Sequence, residues 1–140
     1  MNIIQLDWND YHNYIDKLSK KIDAKIKSNK CNKYKYIAGV ESDDMLVAVH
    51  LSHSLDVPVI TDINILSLLL DLSNEDNQIL LVSNVVETGH TFKQILSQTD
   101  VCIDTGVLFM DKDTTFKPTY HVEIPKGHVY FPWQECGITV

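Results

Sequence analysis

The run Ile79-Leu80-Leu81-Val82 constrains the fold more than any other part of the chain. Four consecutive apolar residues between Gln78 and Ser83 cannot form a strand with one wet face, which would alternate apolar and polar. They predict a strand over 78–84 that is buried on both faces. A turn containing Thr88, Gly89, His90 and Thr91 follows, and then a helix over 91–98. The other patterns agree. Trp8, Tyr11, Ile15, Leu18, Ile22 and Ile26 recur at steps of three and four, the spacing of an amphipathic helix, with Asp7 placed to cap it. Strands are predicted over 34–40, 57–61, 101–110, 120–124 and 129–131, and helices over 43–55 and 63–72. Alternating strands and helices around an unbroken apolar strand imply an α/β domain: a central, mostly parallel sheet with helices on both faces. Such sheets bind ligands at the carboxyl ends of their strands, which directs attention to 39–44, 84–91 and 110–118.

With 140 residues, 44% of them hydrophobic and 22% charged, the chain is the size of one domain with a core of its own. No apolar stretch approaches the ~20 residues of a membrane helix, so no membrane partner is expected. The opening Met1-Asn2-Ile3-Ile4-Gln5 has neither a basic nor an apolar leader region. Cys31, Cys102 and Cys136 are odd in number and widely spaced, as in a reducing compartment; a cytoplasmic location is expected. The net charge of −7 argues against a nucleic-acid partner. All twelve basic residues are lysine, so no planar bidentate clamp for phosphate exists. The abundance of lysine, asparagine and isoleucine suits an AT-rich genome, bacterial or phage. Eight of the lysines fall before Tyr36, many on the polar side of the first helix, where a solvated face is the plain reading.

Backbone N–H groups at the start of the helix after Val82, flanked by the hydroxyls of Thr88 and Thr91, would suit a phosphate monoester. Gly89 would let the backbone approach it closely. Taken alone, Thr-Gly before a helix is most often only a capped turn. The stretch as a whole, Ile79-Leu-Leu-Val-Ser-Asn-Val-Val-Glu-Thr-Gly-His-Thr91, resembles the phosphoribosyl pyrophosphate (PRPP) motif of type I phosphoribosyltransferases: a hydrophobic strand, two acids, two hydrophobics, an acid, then Thr-Gly-x-Thr. Leu6-Asp-Trp-Asn-Asp-Tyr-His12, Tyr36-Ile-Ala-Gly-Val40 and the stretch from Val47 to Val59 are similar, in order, to the small xanthine-guanine (purine) branch. Lys117-Pro-Thr-Tyr-His-Val-Glu-Ile124 and Val129-Tyr-Phe-Pro-Trp133 are similar to its C-terminal hood, placed here at about 111–140.

The resemblance implies a 5′-phosphate site at Thr88, Gly89, His90 and Thr91, where His90 fills a variable position and adds a donor when protonated. It implies that Glu87 lies beneath the ribose in a supporting or proton-transfer role. Ser83 and Asn84 stand where the family has two acids that hold the ribose hydroxyls and help bind Mg²⁺; both can hydrogen-bond hydroxyls, but neither brings charge for a hard cation. Glu41, Ser42, Asp43 and Asp44 stand where small, basic and glycine residues grip pyrophosphate. Carboxylates a few ångströms from an anion cost on the order of 1–4 kcal/mol each at surface-like dielectric. Either these acids carry Mg²⁺, or Asp43 and Asp44 simply begin the next helix, where acids favour its positive end. Lys112 would read a purine oxygen, although the register also allows Asp111; His128 and Val129 would pack on and read the base. Phe131 and Trp133 read as core.

His50 and His53 are three apart on a helix with no third ligand evident, so no metal site is assigned. No nucleophile elbow and no Walker A motif occur. The expected ligand is thus a purine nucleotide, PRPP or ribose 5-phosphate, bound by a homodimer or homotetramer with transfer chemistry weakened or lost. The alternative is an active, Mg²⁺-dependent purine phosphoribosyltransferase. A third reading is N-glycosidic hydrolysis, with Glu87 and Glu41 activating water.

Overall fold

The computed structural model describes residues 2–28, 33–62, 67, 76 and 78–134. The apolar run lies in β4 (Ile79–Val86), whose residues are all buried except the partly buried Val85. β2 (Tyr36–Gly39) flanks it on one side and β5 (Asp104–Met110) on the other. β3 (Val59–Ile60) and β6 (Tyr120–Glu123) complete a sheet of order β3-β2-β4-β5-β6, in which every ladder is parallel.

The period-two alternation of β4 sorts its side chains into two cores. Leu80 and Val82 pack with Ile15, Leu18 and Ile22 of α1 (Trp8–Lys27) and with Val47 and Leu51 of α2 (Met45–Leu55). Ile79 and Leu81 join the opposite core with Ala38, Ile60, Val107 and Phe92 of α3 (His90–Leu96). The sheet is therefore covered on both faces. α1 starts where Asp7 accepts from the Asp10 backbone N–H at 2.7 Å and Asp10 accepts from that of Asp7 at 3.0 Å, a reciprocal capping box. Its lysines are engaged with the surface: Lys21 donates to the His121 carbonyl at 2.6 Å, and Lys27 pairs with Asp23 at 2.9 Å.

The structure departs from the sequence expectations at several boundaries. β4 runs to Val86 because Val85 and Val86 keep pairing with Phe109 and Met110, so Ser83 and Asn84 lie inside the strand and not at its end. α3 begins one residue earlier and ends two earlier than expected. A single 3₁₀ turn, Ser42–Asp44, precedes α2. Of the expected hood, β6 joins the main sheet as its edge. β7 (His128–Tyr130) instead pairs in parallel with an unforeseen strand, β1 (Ile3–Gln5), whose three residues are too few to show a period. The helix expected over 63–72 falls outside the described residues, apart from the helical Ser67. Among the described residues no helix is long and apolar enough to cross a membrane.

Phe109 is fully buried where β5 meets α1 and the C-terminal segment, its ring 4.6 Å from that of Tyr14 and 6.0 Å from that of Phe131. Phe109→Ala is expected to lower unfolding stability by roughly 3–5 kcal/mol, read as a drop in the urea midpoint at unchanged slope.

Candidate functional site

The chain leaves β2 for β3 at one edge of the sheet and returns to β4 on the other side of β2. The connections diverge at the carboxyl ends of β2 and β4, and a crevice opens at that switch point. It is a cleft of about 200 Å³ walled by Val40, Glu41, Asp44, Ser83, Glu87 and the turn 88–91. A hollow of about 250 Å³ adjoins it at the ends of β2 and β3, lined by Gly39, Glu41, Ser42, Met45, Thr61 and Asp62. On the other side, a hollow of about 850 Å³ lies between the ends of β4 and β5 and the β6–β7 segment. Glu41 borders the first two spaces, and Glu87 borders the cleft and the largest hollow.

The turn after β4 is built by its own packing. Gly89 has φ +80°, and a Cβ there would lie 2.2 Å from Cβ of Phe116. The close approach that the sequence reserved for a ligand is thus made by Phe116, whose ring stacks on Phe92 at 5.0 Å. Thr88 Oγ1 accepts from the His90 backbone N–H at 3.3 Å, and the Gly89 carbonyl accepts from Lys93 N–H at 2.9 Å. Glu87, Thr88 and His90 are exposed, and Thr91 is partly buried, with all four on the cleft wall.

Asp43 and Asp44 lead through the 3₁₀ turn into α2, and Asp44 stands apart from the rest of the 41–44 loop. It is 4% exposed, whereas Glu41, Ser42 and Asp43 face solvent. One carboxylate oxygen accepts from the Asn84 backbone N–H at 2.8 Å and from Ser83 Oγ at 3.1 Å; the other accepts from Glu41 N–H at 3.0 Å. Gly39 makes room for this fold-back, since a Cβ there would meet Met45 Sδ at 3.0 Å and the Asp44 carbonyl carbon at 3.1 Å. Burial pushes the Asp44 carboxyl up to about 6, against the pull of its hydrogen bonds and with a small further rise from Asp43.

Asn84 is turned into the protein and does not line the cleft. Its Oδ1 accepts from the Tyr11 hydroxyl at 2.6 Å, and its Nδ2 donates to the Asp43 carbonyl at 3.2 Å, so both ends of the amide serve the protein. Burial, and then Asp44 and Asp43, push the Tyr11 hydroxyl far above its usual range, keeping it a neutral donor. Ser83 does border the cleft. No local pattern pointed to Tyr11 as the partner of Asn84. For Asp44 a signal existed: Glu41-x-x-Asp44 has the spacing of a reciprocal cap.

Glu41, Asp43 and Asp44 bring one carboxylate oxygen each within 4.8 Å of one another. Mg²⁺ demands near-octahedral oxygen coordination. Turning Asp44 toward a cation would strand the buried N–H of Asn84 and that of Glu41, at about 1–3 kcal/mol each. This donor set does not fit a resident Mg²⁺.

On the base side, Asp111, Lys112, His128 and Val129 all line the largest hollow, so both register alternatives reach it. Phe131 is buried and stacks on Trp133 at 5.1 Å, with Tyr11 edge-on to both; this is core, although Phe131 also borders the hollow.

The sign of the Asp44 contribution follows from its raised folded-state value. Between about pH 4 and 6 the folded state binds the extra proton, so stability falls as pH rises through that window. A rise from 3.8 to about 6 corresponds to about 3 kcal/mol. Relative to Asp44→Asn, the parent should lose stability from pH 4 to 6 and run parallel above about 7 in urea titrations. Parallel behaviour throughout would mean that Asp44 ionises normally.

No protein-family model and no curated protein sequence matches the chain. Solved structures do. A purine phosphoribosyltransferase from Pyrococcus horikoshii superposes with a TM-score of 0.73 at 23% identity, covering 100% of this chain and 99% of that one. A xanthine-guanine-hypoxanthine phosphoribosyltransferase from Helicobacter pylori gives 0.71 at 16% identity, covering 95% and 94%. A Neisseria gonorrhoeae protein solved with bound ppGpp gives 0.69 at 16% identity, covering 97% and 91%. The parallel five-stranded sheet with helices on both faces is thus the type I phosphoribosyltransferase fold.

Proposed function

We propose that the chain binds a purine nucleotide or ribose phosphate along the carboxyl edge of its sheet, with phosphoribosyl transfer weak or lost. The observation that carries this reading is the row of three spaces joined through Glu41 and Glu87. A nucleoside monophosphate would lay its phosphate against Thr88, His90 and Thr91 in the cleft. Its sugar would lie over Ser83 and Glu87, and its base in the hollow of Lys112, His128 and Val129. The proteins of like fold support the ligand class: two are purine phosphoribosyltransferases, and the Neisseria protein holds ppGpp. Assembly as a homodimer or homotetramer belongs to the same proposal.

The pyrophosphate end argues for lost transfer. Among the described residues its hollow is bordered by Glu41 and Asp62 and by no lysine, so a diphosphate there meets like charge. Neutral Ser83 and Asn84 stand where the family's two acids would bring Mg²⁺ to the sugar, and Asp44 hydrogen-bonds to that strand. Glu87 keeps the position for stabilising positive charge at the anomeric carbon, which is what the active alternative would use.

Binding is tested by calorimetry with GMP and with ribose 5-phosphate. Thr88→Ala with Thr91→Ala should weaken both by at least about tenfold, or ~1.4 kcal/mol. Lys112→Ala should weaken GMP alone. Gly89→Val is a poor probe because it strikes Phe116. No binding of either compound by the parent, or equal affinity in the double-threonine variant, removes the phosphate site.

Catalysis is tested with PRPP, Mg²⁺ and guanine, hypoxanthine or xanthine. The expected turnover lies well below the ~1–10³ s⁻¹ of ordinary enzymes. Turnover within that range, abolished by Glu87→Gln, would establish the active transferase instead.

A further inference from the structure

We propose that His12, Asp16 and His50 form a site for a first-row divalent transition metal such as Zn²⁺, which clips α1 to α2. His12 and Asp16 lie one turn apart on α1 and so share a face. His50 projects from α2 onto the same spot. His12 Nε2 is 3.3 Å from one Asp16 carboxylate oxygen, and His50 Nε2 is 3.7 Å from the other. The two imidazole rings are 4.7 Å apart and tilted by 57°. One ligand atom from each of the three residues falls within 4.8 Å of the others. Ligands about 2.0–2.1 Å from a tetrahedral Zn²⁺ stand roughly 3.3 Å from each other. The three groups are therefore close to a coordinating arrangement without movement of the helices.

The donor set decides the class of metal. Two imidazole nitrogens and one carboxylate oxygen suit Zn²⁺, Co²⁺, Ni²⁺ or Cu²⁺, whereas Mg²⁺ and Ca²⁺ prefer all-oxygen shells. The side chains of His12 and Asp16 are 55% and 44% exposed, which gives the ion an entry path and leaves water for the remaining position. None of the three residues lines the cleft or its two flanking hollows, so the site shares no side chain with the proposed nucleotide site. His53, one turn beyond His50, is outside the cluster and serves as a control.

The test uses the full, tag-free chain with Zn²⁺, Co²⁺ and Mg²⁺. Zn²⁺ should raise the melting temperature at one equivalent per chain, reversibly with a chelator, and Mg²⁺ should not. His12→Ala, His50→Ala and Asp16→Asn should each weaken Zn²⁺ binding by at least about tenfold while melting normally without metal. His53→Ala should bind like the parent. Co²⁺ should give visible d–d bands without the near-ultraviolet thiolate charge transfer that Cys31, Cys102 or Cys136 would produce. Zn²⁺ binding no tighter than millimolar, binding that survives His12→Ala with His50→Ala, or a thiolate band would each overturn the proposal. In that case the cluster is an ion-paired patch only.

Discussion

Because β4 has no face turned to water, the rest of the chain must supply cover on both sides of it. Leu80 and Val82 require α1 and α2; Ile79 and Leu81 require α3. Parallel neighbours follow, since each crossover to the next strand must carry a covering segment over the sheet. Once β2 and β4 are adjacent while β3 lies outside β2, the loops at their carboxyl ends point apart. The cleft is thus a consequence of how the apolar strand is buried.

Polar chemistry is inserted into that apolar strand at Ser83 and Asn84, and this is where the protein has made its most particular arrangement. A buried serine and asparagine need partners. Asp44 meets the hydroxyl of Ser83 and the backbone of Asn84, and Tyr11 and the Asp43 carbonyl meet the Asn84 side chain. Burying the Asp44 carboxylate is costly, as its raised titration shows, and three donors offset much of that cost. The result locks the loop after β2 to the middle of β4. The Asp44 carboxylate ties the loop to the strand and also borders the cleft. The fold is that of phosphoribosyltransferases, while the side chains of Asp44 and Asn84 are occupied by hydrogen bonds within the protein, a reminder that function lives in the site.

The opposite end of the crevice is less committed. Glu87 and His90 are exposed, Lys112 and His128 are exposed on the wall of the largest hollow, and Phe116 and Phe92 pack beneath the turn. A packed rim carrying adaptable polar groups suits recognition of a phosphate and a flat base. It also explains why the glycine at position 89 is required whether or not a phosphate binds there.

Most of the architecture was legible in the sequence because it rests on periodicity, which is a local property. The apolar run of β4, the three-and-four spacing of α1 and its Asp7 cap each declare themselves within a few residues. β1 did not, because three residues cannot show a period and its partner lies more than 120 positions away. The placement of Thr88 to Thr91 at a strand-to-helix turn was likewise legible, since turn chemistry is local. What Asn84 and Gly89 do was not, and for Asp44 only the Glu41-x-x-Asp44 spacing was a sign. Asp43 and Asp44 are identical side chains on adjacent residues, yet one faces water and the other the core, and only the packing of the 3₁₀ turn against β4 separates them. The same holds for His12, Asp16 and His50, which become neighbours solely because α1 lies on α2. The sequence determined the elements long enough to show a period and the turn at the carboxyl end of β4; the tertiary structure decided which polar groups remain exposed there, because burial and hydrogen-bond partners come from residues distant in the chain.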